Sequence, residues 1–239
     1  MLSPIIAISQ SNYIPWKGYF DLINKADVFV FLDDVQYTKR DWRNRNKIKT
    51  PEGVKWLSIP IETKNKRFQK IREAKVVDSL WAEKHWFTIK QFYQRAPFFR
   101  LYESEIQSAY EIASSQTYLS EINVLFIKTL CDLLGITTEL LTLHNSDSIS
   151  DASQRLVSIC QDNQARSYLS GPAAKLYMNC ELFEQANIDI HWMQYSQYPE
   201  YTQCYPPFDH QVSILDCLYH LGPNTLDYIR STVQSNQTV

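Results

Sequence analysis

Glycine is almost missing from this 239-residue chain, which has only Gly18, Gly53, Gly135, Gly171 and Gly222. They form neither GxGxxG nor GxxxxGK[ST], so a glycine-rich phosphate loop is excluded. Cysteine is sparse and odd in number (Cys131, Cys160, Cys180, Cys204 and Cys217), with no CxxC pair. That argues against a zinc knuckle or a disulfide framework and fits reduced thiols in a cytoplasmic protein. His85, His144, His191, His210 and His220 make no HxxxH or HExxH, so zinc catalysis is not indicated. There is no GxSxG elbow, and no cysteine lies in a known nucleophile motif. No apolar run approaches the roughly 20 residues that span a bilayer. The opening "MLSPIIAISQSNY" has no basic region or cleavage pattern, so no signal peptide is expected. A net charge of -2, from 24 basic and 26 acidic side chains, gives no global field for nucleic acid. With no repeat, low-complexity segment or linker, one domain over 1–239 is expected.

Aromatics are plentiful at 13%, with 15 Tyr and 6 Trp. "IIAIS" (5–9) and "DVFVFLDD" (27–34) read as buried strands around a helix at 18–26, a parallel βαβ unit. "VKWLSIPI" (54–61) is a third strand, entered through the turn "TPEG". Three helices follow, from Ser79 to before Pro97, over 98–113 and over 118–135, the last ended by Gly135. Beyond this helical insertion (about 79–135), strands are expected at 137–143, 166–171 and 188–195. Helices are expected at 150–165, capped by Ser150 or Asp151, then at 173–187 and 211–222. The tail 231–239 is polar and expected to fray. The fold class is α/β, with a mainly parallel Rossmann-like sheet.

Four stretches carry candidate chemistry. Open parallel sheets bind ligands beyond the carboxyl ends of their strands. Gln10, Asn12, Tyr13, Trp16, Lys17 and Gly18 follow the first strand, as amides, aromatics and a helix start suited to an anion. Alternatively, Tyr13 and Trp16 are lids on the core. Asp33 and Asp34 end the second strand and suit a metal–phosphate, a ribose hydroxyl or an amine. Neighbours on a strand point opposite ways, so no protein-held metal is expected. Strand-end acids also cap turns.

From Lys39 to Lys49 run six basic residues. Arg40, Arg43 and Arg45 are forked donors for phosphate, while Tyr37 and Trp42 suit stacking on a base or sugar, beside Gln36 and Asn44. The patch is short, so a nucleotide diphosphate fits at least as well as nucleic acid. A solvated charged hairpin is the bland alternative. Ser170 and Gly171 lie between a strand and a helix, as a phosphate loop or a plain turn. His85, beside Trp86, is the preferred histidine for a general base, although a lone helical histidine is more often structural.

"QSNYIPWKGYFDLI", "ADVFVFLDDVQYTKRDWRNRNKIKT", "WLSIPI", "YLSG" and "SILDCLYHLG" resemble the WbqC-like family of bacteria over almost the entire chain. Ser11 stands where the family's usual Gln-Pro-Asn-Tyr has proline. The resemblance implies work in O-antigen or other surface-polysaccharide synthesis, with transfer of glycine or another acyl group to an amino sugar. The partner would be a nucleotide-linked sugar, with Asp33, Asp34 or His85 deprotonating the amine. The cofactor is left open, Mg2+ with a nucleotide being one option. A fold-level analogy links the opening to nucleotidylyltransferases, which carry HxGH where Trp16-Lys17-Gly18-Tyr19 stands here. "YLSGPAAKLY" resembles their second phosphate loop. Lacking both histidines, leaving-group stabilisation would rest on Lys17 or the arginines. Nucleotidyl transfer and a non-catalytic RNA- or protein-binding module are the other readings. Nothing in the pattern specifies an oligomer.

Overall fold

The computed structural model describes residues 3–143 and 151–235. His144, the proposed cap Ser150 and the tail beyond 235 lie outside the described residues. Strands β1 (Ile5–Ser9), β2 (Val28–Phe31), β5 (Glu139–Thr142), β6 (Ser167–Ser170) and β7 (Asp189–Gln194) run parallel in one sheet. An antiparallel β8 (Thr232–Ser235) completes the order β5-β2-β1-β6-β7-β8. The sheet is therefore six-stranded and mainly parallel, as expected for a Rossmann-like α/β fold. The polar tail does not fray over 232–235. Its backbone pairs with β7, because β7 would otherwise present an unpaired edge.

The two inner strands read as continuous apolar runs because helices cover both faces. Ile6, Ile8, Val28 and Val30 pack with Leu156 and Val157 of α5 (Ala152–Asp162) and Phe183 of α6 (Cys180–Gln185). Ala7, Phe29 and Phe31 face the opposite core, with α1 (Lys17–Asn24), α4 (Leu119–Leu134) and α7 (Ile214–Leu221). The insertion is seen as α2 (Leu80–Tyr93), α3 (Phe99–Ser114) and α4. Gly135 ends α4 with φ 72°, where only glycine avoids steric cost. The helix expected at 173–187 is broken. A 3₁₀ turn at Pro172–Leu176 precedes α6, whose start is capped by Asn179. The basic stretch forms β3 (Arg45–Thr50), which pairs with β4 (Gly53–Ser58) in a separate hairpin. A short helix α8 (Thr225–Tyr228) follows α7.

His85 lies inside the helical layer. Its Nδ1 is 2.9 Å from the Tyr13 hydroxyl, which is 2.6 Å from that of Tyr110. Trp81 meets the imidazole edge-on at 5.3 Å. Burial depresses the His85 pKa to about 4, against a hydrogen bond with the Ser58 backbone that acts the other way. Its folded pKa is below the unfolded one, so the stability it contributes is present above about pH 6.5 and lost as pH falls toward 4. The loss is expected to be about 3 kcal/mol over that window. Urea unfolding from pH 7 to pH 4 should show a slope that flattens in His85→Gln; equal slopes would refute a neutral buried imidazole.

Gly18 lies beneath the Trp16 ring, which a Cβ there would overlap. Gly18→Ala should therefore cost roughly 1–3 kcal/mol by overpacking, read as a lower thermal midpoint with altered tryptophan fluorescence.

Candidate functional site

β1 connects to β2 on one side, whereas β6 connects to β7 on the other. The chain thus reverses direction between β1 and β6, the place where open α/β sheets bind ligands. A cavity of about 320 Å³ lies there. Gln10 and Asn12 enter it from the end of β1, Ser170 and Gly171 from the end of β6. Ala152 and Arg155, in the first turn of α5, close another side. That helix end is capped by the Asp151 carboxylate, which accepts the Gln154 amide at 2.7 Å.

Arg43 reaches across from the basic stretch. Its guanidinium donates to Gln10 Oε1 at 2.7 Å and to Asn12 Oδ1. Both amide oxygens are thereby turned to Arg43, so both NH2 groups are left to face elsewhere. Arg43 is a positioning residue: it sets which atoms the two amides show to a ligand. Asp41 lies 3.8 Å from it and tempers its charge.

Asp33 sits behind this cluster, 4% exposed, with Oδ1 accepting the Ser11 amide at 2.8 Å. Its Oδ2 is buried with no hydrogen-bond partner among the described residues. Burial raises the Asp33 pKa, while the Ser11 hydrogen bonds and the Arg43 charge oppose that rise. Asp34 faces the other way, 2.5 Å from Arg72 Nε. Both acids lie in the turn after β2, not on the strand as expected, and the turn sends their side chains to different partners.

A second cavity, also about 320 Å³, shares Asn12 and Trp16 with the first. Its other walls are Pro15, Trp42, Asn46 and Gln211. Trp42 is half-exposed and lies 5.4 Å from Trp56. Asn46 is committed to the backbone, donating to the carbonyls of Tyr13 (3.2 Å) and Ile14 (2.8 Å). That holds Ile14 at φ 35°, a strained value for a β-branched residue.

Other expected site residues are placed elsewhere. Arg45 stacks 4.1 Å above Trp56, and Arg40 is exposed at a left-handed turn, so the three arginines do not share a face. Tyr13 is in the core, and His85 lines neither cavity. Lys17 is 1% exposed, 2.7 Å from His210 Nδ1 and surrounded by Tyr198, Tyr201 and Phe208. Burial lowers its pKa. Asn44 donates to the Ile59 carbonyl, whereas Gln36 and Tyr37 line a different cavity of about 620 Å³ with Lys39, Lys66 and Arg67. Arg155, Gln211 and Trp56 were not foreseen. Arg155 had a signal, as a basic residue in the first turn of a helix that follows a strand. Among the described residues no group of three His, Cys, Asp or Glu could hold a metal ion, and no helix is long and apolar enough to cross a membrane.

The comparisons agree with this architecture in extent. "Uncharacterized protein Rv1507c" of Mycobacterium tuberculosis is 40% identical over 225 residues, which cover 94% of this chain and 97% of that protein. No solved structure gives a significant match. The family model of the WbqC-like proteins matches residues 10–228, from the amide at the end of β1 to the last residue of α8, and the chain belongs to that family.

Proposed function

We propose that the protein is a transferase of bacterial surface-glycan (O-antigen) synthesis, moving glycine or another acyl group onto the amine of a nucleotide-linked amino sugar in the cytoplasm. The observation that carries this reading is the pair of adjacent cavities at the strand reversal, which share Asn12 and Trp16 in their walls. One is edged by donors: the Gln10 and Asn12 amides, the Arg155 guanidinium and the Ser170 hydroxyl. Donors of this kind suit a diphosphate. The other is walled by Trp16 and Trp42, with Asn12 and Gln211 at its edge. Indole faces beside carboxamides suit a sugar ring, whose C–H faces pack on aromatics and whose hydroxyls need polar partners. In this reading the diphosphate lies against the amides that Arg43 orients, and the sugar enters the tryptophan-walled space. Asp33 lines neither cavity and would take the amine proton only where a ligand reaches its buried Oδ2. Its raised pKa and its unbonded Oδ2 favour proton acceptance.

Titration calorimetry with nucleoside diphosphate amino sugars tests binding. Arg43→Ala should raise Kd roughly 10- to 100-fold, and Arg43→Lys nearly as much, because one ammonium cannot hold two amides in a fixed fork. Trp42→Ala should weaken the nucleotide sugar about 5-fold, from loss of roughly 1 kcal/mol of ring contact, yet leave the sugar-free nucleoside diphosphate unchanged. Incubation with the sugar and an activated glycine should add one glycyl mass to the sugar. No binding by any member of the series would overturn the reading.

A further inference from the structure

A second constellation lies outside the strand-reversal cavities. The loop between β7 and α7 carries Cys204, and the last turn of α7 carries His220, one turn after Asp216. His220 Nε2 is 3.0 Å from Cys204 Sγ. The same nitrogen accepts the backbone N–H of Cys204 at 3.0 Å. A nitrogen that accepts an N–H must carry a lone pair, so the imidazole proton is on Nδ1. Nδ1 lies 2.7 Å from the Asp216 carbonyl oxygen and 3.5 Å from its carboxylate. The single Nε2 lone pair is then shared between the Cys204 amide and the thiol, each at 3.0 Å. The carboxylate itself is fixed by Tyr201 (2.6 Å), Gln203 (2.9 Å) and Tyr93 (2.9 Å). Nucleophile and base lie at hydrogen-bond distance, the base is oriented by the Asp216 carbonyl, and the Asp216 carboxylate stands 3.5 Å away, an arrangement related to the one that activates a thiol.

The surroundings favour chemistry over structure. Cys204 and His220 line an open cavity of about 450 Å³, together with Glu200, Tyr201 and Tyr228. It shares no lining residue with the two cavities at the strand reversal. Cys131, Cys160 and Cys217 are buried, and burial pushes their thiols up to about 12. Cys180 is half-buried, with its thiol toward the Met178 carbonyl. Burial also raises the Cys204 pKa, so the resting group is a thiol that needs a base. Burial disfavours charge on His220, but hydrogen bonding and charge from Asp216 outweigh it and raise its pKa.

We infer that Cys204 is the nucleophile of an acyl-transfer site, taking an acyl group from an activated ester or thioester, with His220 as base and Asp216 as its positioning residue. Sγ attacks the acyl carbon and its proton passes to His220 Nε2. The bond from that carbon to the leaving group breaks, and the leaving group departs with the proton. The acyl group is then a thioester on Cys204. An amine attacks it, the C–S bond breaks, and the amine proton returns to sulfur through His220. The inference goes beyond the proposed transfer, whose sugar site lies in other cavities, and it is tested separately.

The test is intact-mass and peptide mass spectrometry of the full chain after exposure to the acetyl thioester of N-acetylcysteamine. One acetyl group is expected on the Cys204 peptide, removable by neutral hydroxylamine. Cys204→Ala should abolish it, Cys180→Ala should not, and His220→Gln should slow labelling roughly 100-fold. Circular dichroism and the thermal midpoint identify variants that fail to fold. Should Cys204→Ala and His220→Gln both unfold, the wild-type chain still decides, by whether Cys204 is acylated ahead of Cys180. No label, a label on Cys180 instead, or equal rates in folded His220→Gln would overturn the inference. Nucleotide-sugar binding by Cys204→Ala separates the two ideas: retained binding without acylation of the wild-type chain sinks only the thiol site, and acylation without sugar binding sinks only the sugar site.

Discussion

The parallel pairing of β1 with β2 is the constraint on which the rest depends. Ser9 pairs with Phe31, and the Leu32 amide donates to the Ser9 carbonyl at 2.9 Å. With that register the two chains leave the sheet together, so that Ser11 meets Asp33 and Gln10 and Asn12 meet Arg43. Side chains alternate with period two, so a slip of one residue would exchange the cores above and below the sheet. It would also leave a buried carboxylate without the Ser11 amide. The hydrophobic packing of Phe29 and Phe31 on one side and Val28 and Val30 on the other therefore sets polar geometry several residues away.

The abundance of tyrosine has a structural use. Buried acids find tyrosine hydroxyls as well as backbone amides for partners. Tyr93 and Tyr201 hold Asp216, and Tyr198 holds Asp21, which also accepts the Ser231 amide. Each tyrosine fills apolar volume with its ring and satisfies a polar atom with its tip. Such carboxylates would be costly to bury unpaired. They join α1, α2, α7 and the segment leading into β8, elements far apart in sequence.

Much of the sheet was legible because "IIAIS" and "VFVF" are too apolar and too short to be anything but buried strands. Gly135 and Asp151 marked helix limits by their ordinary conformational and capping chemistry. β3 was not legible, since "RNKIKT" has no apolar alternation. Its burial comes from elsewhere in the chain: the Lys49 amide donates to the Tyr93 hydroxyl, and the Ser213 amide to the Lys47 carbonyl. The break before α6 escaped notice because Ala173, Ala174 and Leu176 favour helix, and Asn179 recaps the chain only through its fold. At the site, Gln10, Asn12 and Asp33 followed from their positions at strand ends. Nothing local could separate Arg43 from Arg40 and Arg45, as that depends on which side of the hairpin meets the β1 loop. Cys204 and His220 are 16 residues apart without a motif, and only the return of α7 brings them together.

The indole of Trp16 is a party wall. It belongs to both hollows at the strand reversal, it meets Tyr195 edge-on at 5.2 Å, and Gly18 beneath it leaves no slack. A molecule that tilts this ring to enlarge one compartment must shrink or reshape its neighbour. Occupancy of the two compartments is thus thermodynamically reciprocal: whatever one guest does to the affinity for the other is returned in equal measure.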